Sequence, residues 1–484
     1  MLNYITTCIT AFLVFKILRA SRRADATGYL LVSGIIPLPV YMIGNSVDAG
    51  VFPIDVCLLV YLLAHGKAAL HYAQEHRILS AGIGALFGFS LLATCSGVFN
   101  FLFVDPGALK FYAFTIVKFW EYALLATVLI ASRPDARQLR SICTIVLTGI
   151  LVYEILHALH ISGIVPMSGE AYYGPRAEGY MGGAVSFSDR TGWFLASYRG
   201  IVGGTVSIGA WLSLMVFEAY RGKIKILAAA TGILSVFSVL AVNSREDIAG
   251  LAAGAIVFAL CAPPRRWKVY ACAAIAGVGL YAIVLTVFLT PANRSKELTR
   301  MSALWNSQQR LQGNYGSRLS NWTSMLSYLP DHPEDLVIGA GPGNYRAYAA
   351  DGATYLLSGH NSYLTWTGEL GLGGLFLLLA WCGSVCLYAA RCVRNKPRIC
   401  QLAARTCFAL VVGRMVAGWA GEALLGTDGM GYYSLYMVGI VYLLISVASD
   451  VGAPTGSLHL QGYKLKKSNT AVSDMELAGI RCRS

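Results

Sequence analysis

The feature that most constrains the fold of this chain is a series of about thirteen long apolar stretches. They cover roughly 2–18, 28–44, 50–64, 78–104, 111–132, 141–165, 200–217, 226–242, 248–262, 269–290, 362–390, 400–419 and 432–449. A helix needs about 20 predominantly apolar residues to cross the hydrocarbon core of a bilayer, and most of these stretches approach that length. We therefore predict an all-α, polytopic integral membrane protein with about 12–13 transmembrane helices.

The composition excludes a soluble globular class. Hydrophobic residues make up 56% of the 484 residues and charged residues only 13%, whereas soluble domains are about 25% charged. The net charge of +13 is therefore interpreted as loop charge beside a membrane and not as a nucleic-acid-binding surface. The twelve cysteines lie mostly in apolar stretches, which favours buried thiols over disulfides or a metal site.

The distribution of lysine and arginine predicts the orientation of the spans. Every second loop is rich in these residues and the loops between them are poor, so one topology fits the whole chain. Basic loops stay in the cytoplasm, which places the N-terminus outside and the segment 451–484 inside. The short loops of the outer side contain Lys110, Arg176, Arg190, Arg199 and Arg245.

Two outer segments are too long to be simple turns. They cover about 166–199 and 291–359, and the second is the longest polar stretch in the chain. Connections of this length are usually functional. We therefore predict a transmembrane domain at 1–450, which includes the large periplasmic loop at about 291–359, followed by a cytoplasmic tail at 451–484. The functional site is expected in or beside the large loop.

Arginines on the outer side are the first candidate functional residues, because the positive-inside bias works against them. Arg199 directly precedes an apolar helix, and Arg245 lies in a short polar break between two apolar stretches. The fork of donors on a guanidinium fits phosphate oxygens, so the set suits a diphosphate held at headgroup depth. The alternative for a single member is an ion pair of Arg245 with Glu246 or Asp247, or contact of Arg199 with lipid phosphate.

His360 is the second candidate, since it ends the large loop and begins an apolar helix. An imidazole at a membrane surface can accept a proton from a hydroxyl, although a structural histidine at a helix start fits the spacing equally well. At 100° per residue, Glu369 lies about 180° from His360, so it is not expected to orient that side chain. Glu369 is expected to meet a neighbouring helix, which Gly371, Gly373 and Gly374 would allow to approach closely.

Two further groups of polar residues have simpler explanations. Glu154, His157 and His160 share one helix face, and we favour interhelical hydrogen bonds there over a metal site. Lys118 and Glu121 are three residues apart in an apolar stretch. They are predicted to pair with each other.

Two features near the large loop complete the set of candidates. The segment 339–343 is rich in glycine but has no following Lys-Ser/Thr pair, so we interpret it as a turn and not as a phosphate-binding loop. Arg414 lies within an apolar stretch near Glu422. It belongs either to a helix-packing ion pair or to the site.

The residues around the large loop resemble those of the bacterial O-antigen ligase and polysaccharide polymerase superfamily. The similarity in order and spacing runs through four motifs, at 318–322 (RLSNW), 339–345 (GAGPGNY), 360–364 (HNSYL) and 369–374 (ELGLGG). In that family this pattern always lies in the large periplasmic loop.

Two positions upstream add to the resemblance. Arg245 and the serine before it are similar to the family's Ser-Arg between two helices, with Glu246 and Asp247 in place of small residues. Arg199 and the glycine after it resemble the family's Arg-x-x-Gly at the start of a helix, without its Pro-Asn. The resemblance covers roughly 195–420.

The resemblance implies a membrane-embedded glycosyltransferase that needs no metal and no cofactor. Such enzymes take a glycan from undecaprenyl diphosphate and transfer it en bloc at the periplasmic face of the bacterial inner membrane. The acceptor is a second lipid-linked glycan in a polymerase, which we favour, or the lipid A core in a ligase. Membrane lipid, a chain-length regulator and a flippase are the further partners that the resemblance implies.

The resemblance also implies roles for individual residues. Arg199 and Arg245 would stabilise the leaving diphosphate, and His360 would deprotonate or orient the attacking hydroxyl. The implied substrate-binding residues are Arg318, Asn361, Arg190 and Arg414, and the implied structural residues are Glu369, Gly371 and Gly374.

A polytopic transporter or flippase of lipid-linked sugars is the alternative of another class. A transporter would place its cations in a central cavity between two similar halves. The cationic candidates here gather instead at one face and in one loop.

Overall fold

A computed structural model describes most of the helical part of the chain. The described residues are 2–36, 40–42, 50–75, 82–103, 109–161, 199–242, 245–268, 270, 272, 275, 279, 322–323, 333–342, 346–348, 354–356, 361–393, 397–421, 424–425 and 431–449. They fall in a unit that spans Met1–Ala448, apart from Ser449, which belongs to a second unit, Ser449–Ser484. The predicted tail at 451–484 and most of the predicted loop at 291–359 lie outside the described residues.

Helices account for nearly all of the described structure. In chain order they are α1 (Leu2–Arg19), α2 (Arg23–Ser33), α3 (Pro53–Glu75), α4 (Ile83–Phe103), α5 (Leu109–Ile130), α6 (Ala136–Ile161), α7 (Arg199–Ala219), α8 (Lys223–Val242), α9 (Arg245–Leu260), α10 (Pro333–Val337), α11 (Ser362–Cys392), α12 (Arg398–Ala420) and α13 (Gly431–Ser449). Two short antiparallel ladders accompany them, in which β1 (Tyr41–Met42) pairs with β2 (Gly50–Val51) and β3 (Arg346–Tyr348) pairs with β4 (Thr354–Leu356). The predicted all-α class is confirmed.

Several of these helices are long and apolar enough to cross a membrane. By length and composition, six qualify within the described residues, namely Ile83–Phe103, Tyr112–Ile130, Ala136–Leu159, Lys223–Leu240, Ser362–Cys392 and Arg398–Trp419. Gly203–Ala219 and Tyr433–Ser449 are apolar but shorter. The prediction of a polytopic membrane protein is therefore confirmed.

The apolar stretch at 28–44 does not form the single helix predicted for it. α2 ends at its C-cap residue Gly34, ahead of Pro37 and Pro39 in the sequence. Proline has no backbone N–H and disfavours a helix on its N-terminal side. α3 begins beside the end of α2, since a Cβ on Gly34 would lie 2.8 Å from Cδ1 of Ile54. The stretch therefore contributes to the short helix α2 and to the first strand of the β1–β2 ladder.

A buried ion cluster joins the start of α3 to the middle of α5. Nζ of Lys118 lies 2.5 Å from Oδ1 of Asp55 and 3.0 Å from Oε2 of Glu121. The Lys118 side chain is 2% exposed, so both carboxylates balance a charge that water cannot reach. The predicted pairing of Lys118 with Glu121 is confirmed, and Asp55 is a second partner that the sequence did not indicate.

Hydrogen bonds from two buried serines explain how Glu154, the acidic residue of α6, can be buried. Glu154 accepts hydrogen bonds from Ser235 and Ser238 of α8, both at 2.6 Å. The predicted interhelical hydrogen bonding is therefore confirmed for Glu154. Within the described residues, no group of three or more His, Cys, Asp or Glu side chains could hold a metal ion.

α13 lies among the other helices and is covered on all sides. Every side chain described from position 433 to 449 is buried, as expected for a helix that is apolar all round. The hydroxyl of Tyr442 accepts a hydrogen bond from Nε1 of Trp381 in α11 at 3.2 Å. On another side, a Cβ on Gly439 would lie 2.6 Å from Cδ2 of Leu31 in α2. α13 thus connects the N-terminal and C-terminal helices.

α9 and α12 cross with their backbones in contact. A Cβ on Gly250 would lie 2.5 Å from the carbonyl oxygen of Gly413, and a Cβ on Gly254 would lie 2.7 Å from that of Ala409. Glycines four residues apart allow helices to approach this closely in membrane proteins. The crossing sets the start of α9 beside the end of α12, where the candidate site lies.

Candidate functional site

Three helix starts carry predicted site residues. Arg199 is the first residue of α7, Arg245 is the first residue of α9, and Asn361 is the N-cap of α11. His360 directly precedes Asn361 in the chain. The backbone of Arg199 and Arg245 is described but their side chains are not, and His360 and Arg190 lie outside the described residues.

A close contact joins the start of α7 to the start of α9. Asp247 is two residues after Arg245, and Gly203 is four residues, about one helical turn, after Arg199. A Cβ on Gly203 would lie 2.2 Å from Oδ2 of Asp247, so glycine is needed to admit the carboxylate. The first turns of α7 and α9 are therefore neighbours, and so are the backbone positions of the two arginines.

The end of α12 joins the start of α9 to the start of α11. A Cβ on Gly421, which follows α12, would lie 3.3 Å from Cγ of Glu246. The carbonyl oxygen of Gly421 accepts hydrogen bonds from the backbone N–H and the hydroxyl of Ser362, both at 3.2 Å. Because Ser362 is two residues after His360, all three helix starts meet at one place, which we call the helix-start end.

Asn361 caps α11 at this end. Its Oδ1 accepts hydrogen bonds from the backbone N–H groups of Tyr363 and Leu364, at 3.0 and 3.2 Å. Such a cap satisfies donors that the first turn of a helix leaves unpaired. The Asn361 side chain is buried, and its cap fixes the start of α11. Its predicted contact with substrate stays a prediction.

Aromatic contacts place Trp322, the last residue of the motif at 318–322, at the helix-start end. The ring of Trp322 is oriented edge-to-face with that of Trp419 near the end of α12, with centroids 6.4 Å apart. The ring of Trp419 lies 6.2 Å from that of Tyr363 in the first turn of α11. Arg318 lies outside the described residues, and Trp322 is four residues after it in the chain.

Arg414 and Asp247 form a buried ion pair within the bundle. Nη1 of Arg414 lies 2.5 Å from Oδ1 of Asp247, and the two side chains are 4% and 0% exposed. Nη1 also donates to the hydroxyl of Ser207 at 3.5 Å, and the guanidinium lies 5.2 Å from the ring centroid of Tyr433. One arginine of α12 thus contacts α7, α9 and α13.

The pair answers a question that the sequence left open. Arg414 belongs to a helix-packing ion pair, and its partner is Asp247. The partners are 167 residues apart in the chain, which is why sequence spacing did not indicate them. The available signal was Asp247 itself, an acidic residue where the resembling family has a small one. The predicted contact of Arg414 with substrate stays a prediction.

α11 is broken at Gly371, one of the predicted structural residues. Its backbone has φ 67° and ψ −169°, a left-handed φ that favours glycine. Beside the break, the carbonyl oxygens of Gly368 and Glu369 accept hydrogen bonds from the N–H groups of Ala340 and Gly341, at 2.9 and 3.1 Å. The glycine-rich segment of the large loop therefore docks its backbone on the broken helix.

Glu369 and Gly374 lie around the same break. Glu369 is 6% exposed, and it lies about 10 Å along the helix axis from Ser362, the first residue of α11. A Cβ on Gly371 would lie 2.6 Å from the carbonyl oxygen of Leu336 in α10, and a Cβ on Gly374 would lie 2.9 Å from that of Trp366. These contacts are made with backbone atoms of α10 and α11.

The N-terminal helices support the docked turn. Nδ2 of Asn100 in α4 donates a hydrogen bond to the carbonyl oxygen of Gly339 at 3.1 Å. A Cβ on Gly341 would lie 2.6 Å from Cε1 of Tyr112 in α5. The large loop is therefore fixed between α4, α5 and α11 where it approaches the site.

The helix-start end has a positive electrostatic character. Each start of α7, α9 and α11 carries the positive end of a helix dipole, although the first N–H groups of α11 already donate to Asn361 and Gly421. Arg199 and Arg245 add formal charge at two of these starts. The negative charge of Asp247 is balanced by Arg414, which leaves Glu246 as the acidic residue of this region of α9. Helix starts of this kind bind phosphate groups.

Comparison with known families bears on the same region. Residues 230–379 match a family model described as O-Antigen ligase, and no curated protein matches the chain. The matched segment contains Arg245 and His360, whereas Arg199 and Arg414 lie outside it. The resemblance to the O-antigen ligase superfamily is therefore confirmed over this segment.

Proposed function

We propose that the protein is a metal-independent glycosyltransferase, because residues 230–379 match a family model described as O-Antigen ligase. It transfers a glycan en bloc from an undecaprenyl diphosphate-linked donor at the periplasmic face of the bacterial inner membrane. The product is a longer exopolysaccharide or O-antigen chain. The observation that carries this proposal is the meeting of the starts of α7, α9 and α11, each with a predicted site residue.

The diphosphate of the donor is held by positive charge. Arg199 and Arg245 bind its oxygens through paired hydrogen bonds, and the three helix starts add their dipoles. Negative charge on the diphosphate grows as the bond to the sugar breaks, so these groups bind the transition state more tightly than the donor. The arginines supply the charge that a divalent cation supplies in other diphosphate sites.

His360 acts on the acceptor. It takes the proton from the attacking hydroxyl while the new bond forms to the anomeric carbon and undecaprenyl diphosphate leaves. In the sequence, His360 stands between the large loop and α11, and we place it within reach of both substrates. Arg318, Arg190 and the Asn361 amide contact the glycan or the diphosphate.

Other proteins complete the reaction sequence. The donor must first cross the membrane, which a flippase performs, and a chain-length regulator limits the extension of the product. Membrane lipid surrounds the polyprenyl tail of the donor throughout.

Ligation to the lipid A core is the second candidate, because the matched family model carries the description O-Antigen ligase. Both reactions use the same donor and the same leaving group. They differ only in the hydroxyl that attacks, so the acceptor distinguishes them.

The test is glycan transfer by the purified protein in detergent, with the lipid-linked donor alone or with lipid A core added. We expect extended glycan from the donor alone, at the same rate with EDTA present. A product that requires the lipid A core would assign the ligase reaction instead. Loss of activity in EDTA that is restored by a divalent cation would contradict metal independence.

A matched pair of variants tests the proposed base. His360→Ala is expected to lower kcat by about 10²–10⁴-fold while the protein still binds the donor. Arg221→Ala, in the loop that follows α7, is expected to transfer glycan at the parent rate. A His360→Ala protein with the parent kcat would reduce His360 to a structural residue at the helix start.

A further inference from the structure

We propose that Arg414 and Asp247 are a positioning pair, which holds the starts of α7 and α9 together so that Arg199 and Arg245 act on one diphosphate. The inference rests on the proposed function. It gives Asp247 a role in the reaction, and it moves Arg414 from contact with substrate to support of the residues that make that contact.

The burial of the pair keeps the two charges together. The side chains of Arg414 and Asp247 are 4% and 0% exposed, and their charged atoms are 2.5 Å apart. Inside a membrane-embedded bundle, neither charge is tolerated without its partner. Arg414 is therefore committed to Asp247 throughout turnover, and it has little freedom to turn toward a substrate.

The pair acts directly on the first turns of the two helices. Oδ1 of Asp247 meets Arg414, while Oδ2 faces Gly203 of α7, where a Cβ would lie only 2.2 Å away. The next residue, Gly204, admits the ring of Tyr433, since a Cβ there would lie 2.7 Å from Cζ. That ring also lies beside the Arg414 guanidinium. Gly203 and Gly204 therefore allow α7 to pack directly against Asp247 and against Tyr433, the ring beside Arg414.

The distance from the pair to the predicted catalytic arginines is short. Asp247 is two residues after Arg245, and Gly203 is four residues after Arg199. At a rise of 1.5 Å per residue, these separations are about 3 Å and 6 Å along the helix axes. A shift of about 1 Å in a group that binds the reacting centre can cost about 10²-fold in rate. Loosening the pair would move both arginines relative to each other.

Single and double variants separate positioning from direct substrate contact. Asp247→Asn and Arg414→Gln each remove one charge of the buried pair, whereas the double variant leaves a neutral pair of amides in the same space. For the folded protein, we expect each single variant to lower kcat at least about 10-fold. KM for the lipid-linked donor should change less than kcat, and the double variant should recover most of the lost rate.

Two results would overturn the proposal. If the double variant regains thermal stability but not activity, and KM for the donor rises, Arg414 binds the donor directly. If the single variants lose stability while their folded fraction keeps the parent kcat, the pair is only structural. Asp55→Asn is the matched control, because it breaks the buried pair with Lys118 in another part of the bundle. It should lower stability and leave kcat unchanged, and an equal fall in kcat would also contradict the proposal.

A distance measurement tests the positioning without relying on glycan transfer. Spin labels at Gly200→Cys and Glu246→Cys would report on the starts of α7 and α9, after the exposed Cys8, Cys95 and Cys272 are replaced. We expect one narrow distance with the ion pair intact, a broad distribution with Asp247→Asn, and a narrow one again in the double variant. An unchanged distribution in Asp247→Asn would overturn the positioning role even if the proposed function holds. The expected broadening would support it even if the protein catalyses a different reaction.

Discussion

The packed helices α7, α9 and α12 have one arginine–carboxylate pair at each end of the group, and the two pairs lie in different surroundings. At the helix-start end, the side chains of Arg414 and Asp247 are 4% and 0% exposed. At the opposite end, Arg266 in the turn after α9 pairs with Glu218 of α7, and its side chain is 32% exposed. Both are arginine–carboxylate ion pairs, and they differ in the helix ends that surround them.

The opposite end gathers arginines where two helices finish. Tyr270 donates to the carboxylate of Glu218 at 2.5 Å, and Arg398 donates to its backbone carbonyl at 3.0 Å. Arg405 donates to the carbonyl of Phe258 at 3.1 Å and lies 4.2 Å from its ring centroid. α7 and α9 end here, so these cations meet unpaired carbonyls and the negative ends of helix dipoles.

The helix-start end has the reverse arrangement. Arg199 and Arg245 stand at the first positions of α7 and α9, where the dipole is positive and a cation is unfavourable. Arg398 is also the first residue of a helix, α12, and its side chain meets the end of α7 by donating to the carbonyl of Glu218. The two ends therefore differ in what their arginines contact. Those of the opposite end meet Glu218 and Phe258 near the ends of α7 and α9, whereas a diphosphate is the contact that we propose for Arg199 and Arg245.

The largest predicted effect that tests this comparison is a loss of catalytic activity when an arginine at the helix-start end is replaced. Arg245→Lys is expected to lower kcat by about 10²–10³-fold, because an ammonium cannot reproduce the paired donors aimed at the diphosphate. Arg398→Lys, at the opposite end, should keep the parent kcat. Both are measured with the lipid-linked donor at equal amounts of folded protein. Full activity of Arg245→Lys would remove the functional distinction between the two ends.

The second predicted effect is a loss of stability when Gly203, against which the Asp247 carboxylate packs, is replaced. Gly203→Ala places a Cβ 2.2 Å from Oδ2 of Asp247, which should lower the free energy of unfolding by about 1–3 kcal/mol and lower activity. Gly383→Ala in α11 is the control, since no atom lies within 4 Å of its added Cβ. The control should be neutral or more stable by up to about 1 kcal/mol. Thermal unfolding in detergent checks both, and equal behaviour of the two variants would contradict the close contact of α7 with α9.

The smallest effect is expected at the opposite end. Arg266→Gln removes a partly exposed ion pair, and such pairs contribute about 0–1 kcal/mol to stability. The variant should unfold close to the parent temperature and transfer glycan at the parent rate. A loss of activity comparable with that of Arg245→Lys would show that both ends take part in the reaction.

The spans were predictable because bilayer thickness imposes a long apolar run on each of them. The exception at 28–44 shows where that argument fails, since hydropathy ignores that Pro37 and Pro39 cannot extend a helix. The same argument underestimates α3, which continues through polar residues to Glu75. Apolar content predicts which residues can be buried, and local backbone chemistry decides where each helix ends.

The candidate site was predictable in part. Arg199, Arg245 and Asn361 stand at helix starts, where the transition from polar to apolar sequence placed them. Asp247 acquires its partner only through packing of α9 on α12, which sequence spacing cannot show. The break at Gly371 likewise depends on a turn about thirty residues upstream that docks against it. Contacts between residues far apart in the sequence therefore determine the partner of Asp247 and the break at Gly371, and local sequence patterns do not show such contacts.

The orientation of the helix-start end is the claim on which the whole account depends. A reporter that is active only in the periplasm tests it most directly, when fused after Ser317 or Ser358 in the large loop. We expect activity at both positions and silence after Arg266 or Lys396, which belong to the opposite side. A silent reporter after Ser317 and Ser358, with activity after Arg266, would place the arginines and His360 in the cytoplasm and contradict the proposed reaction.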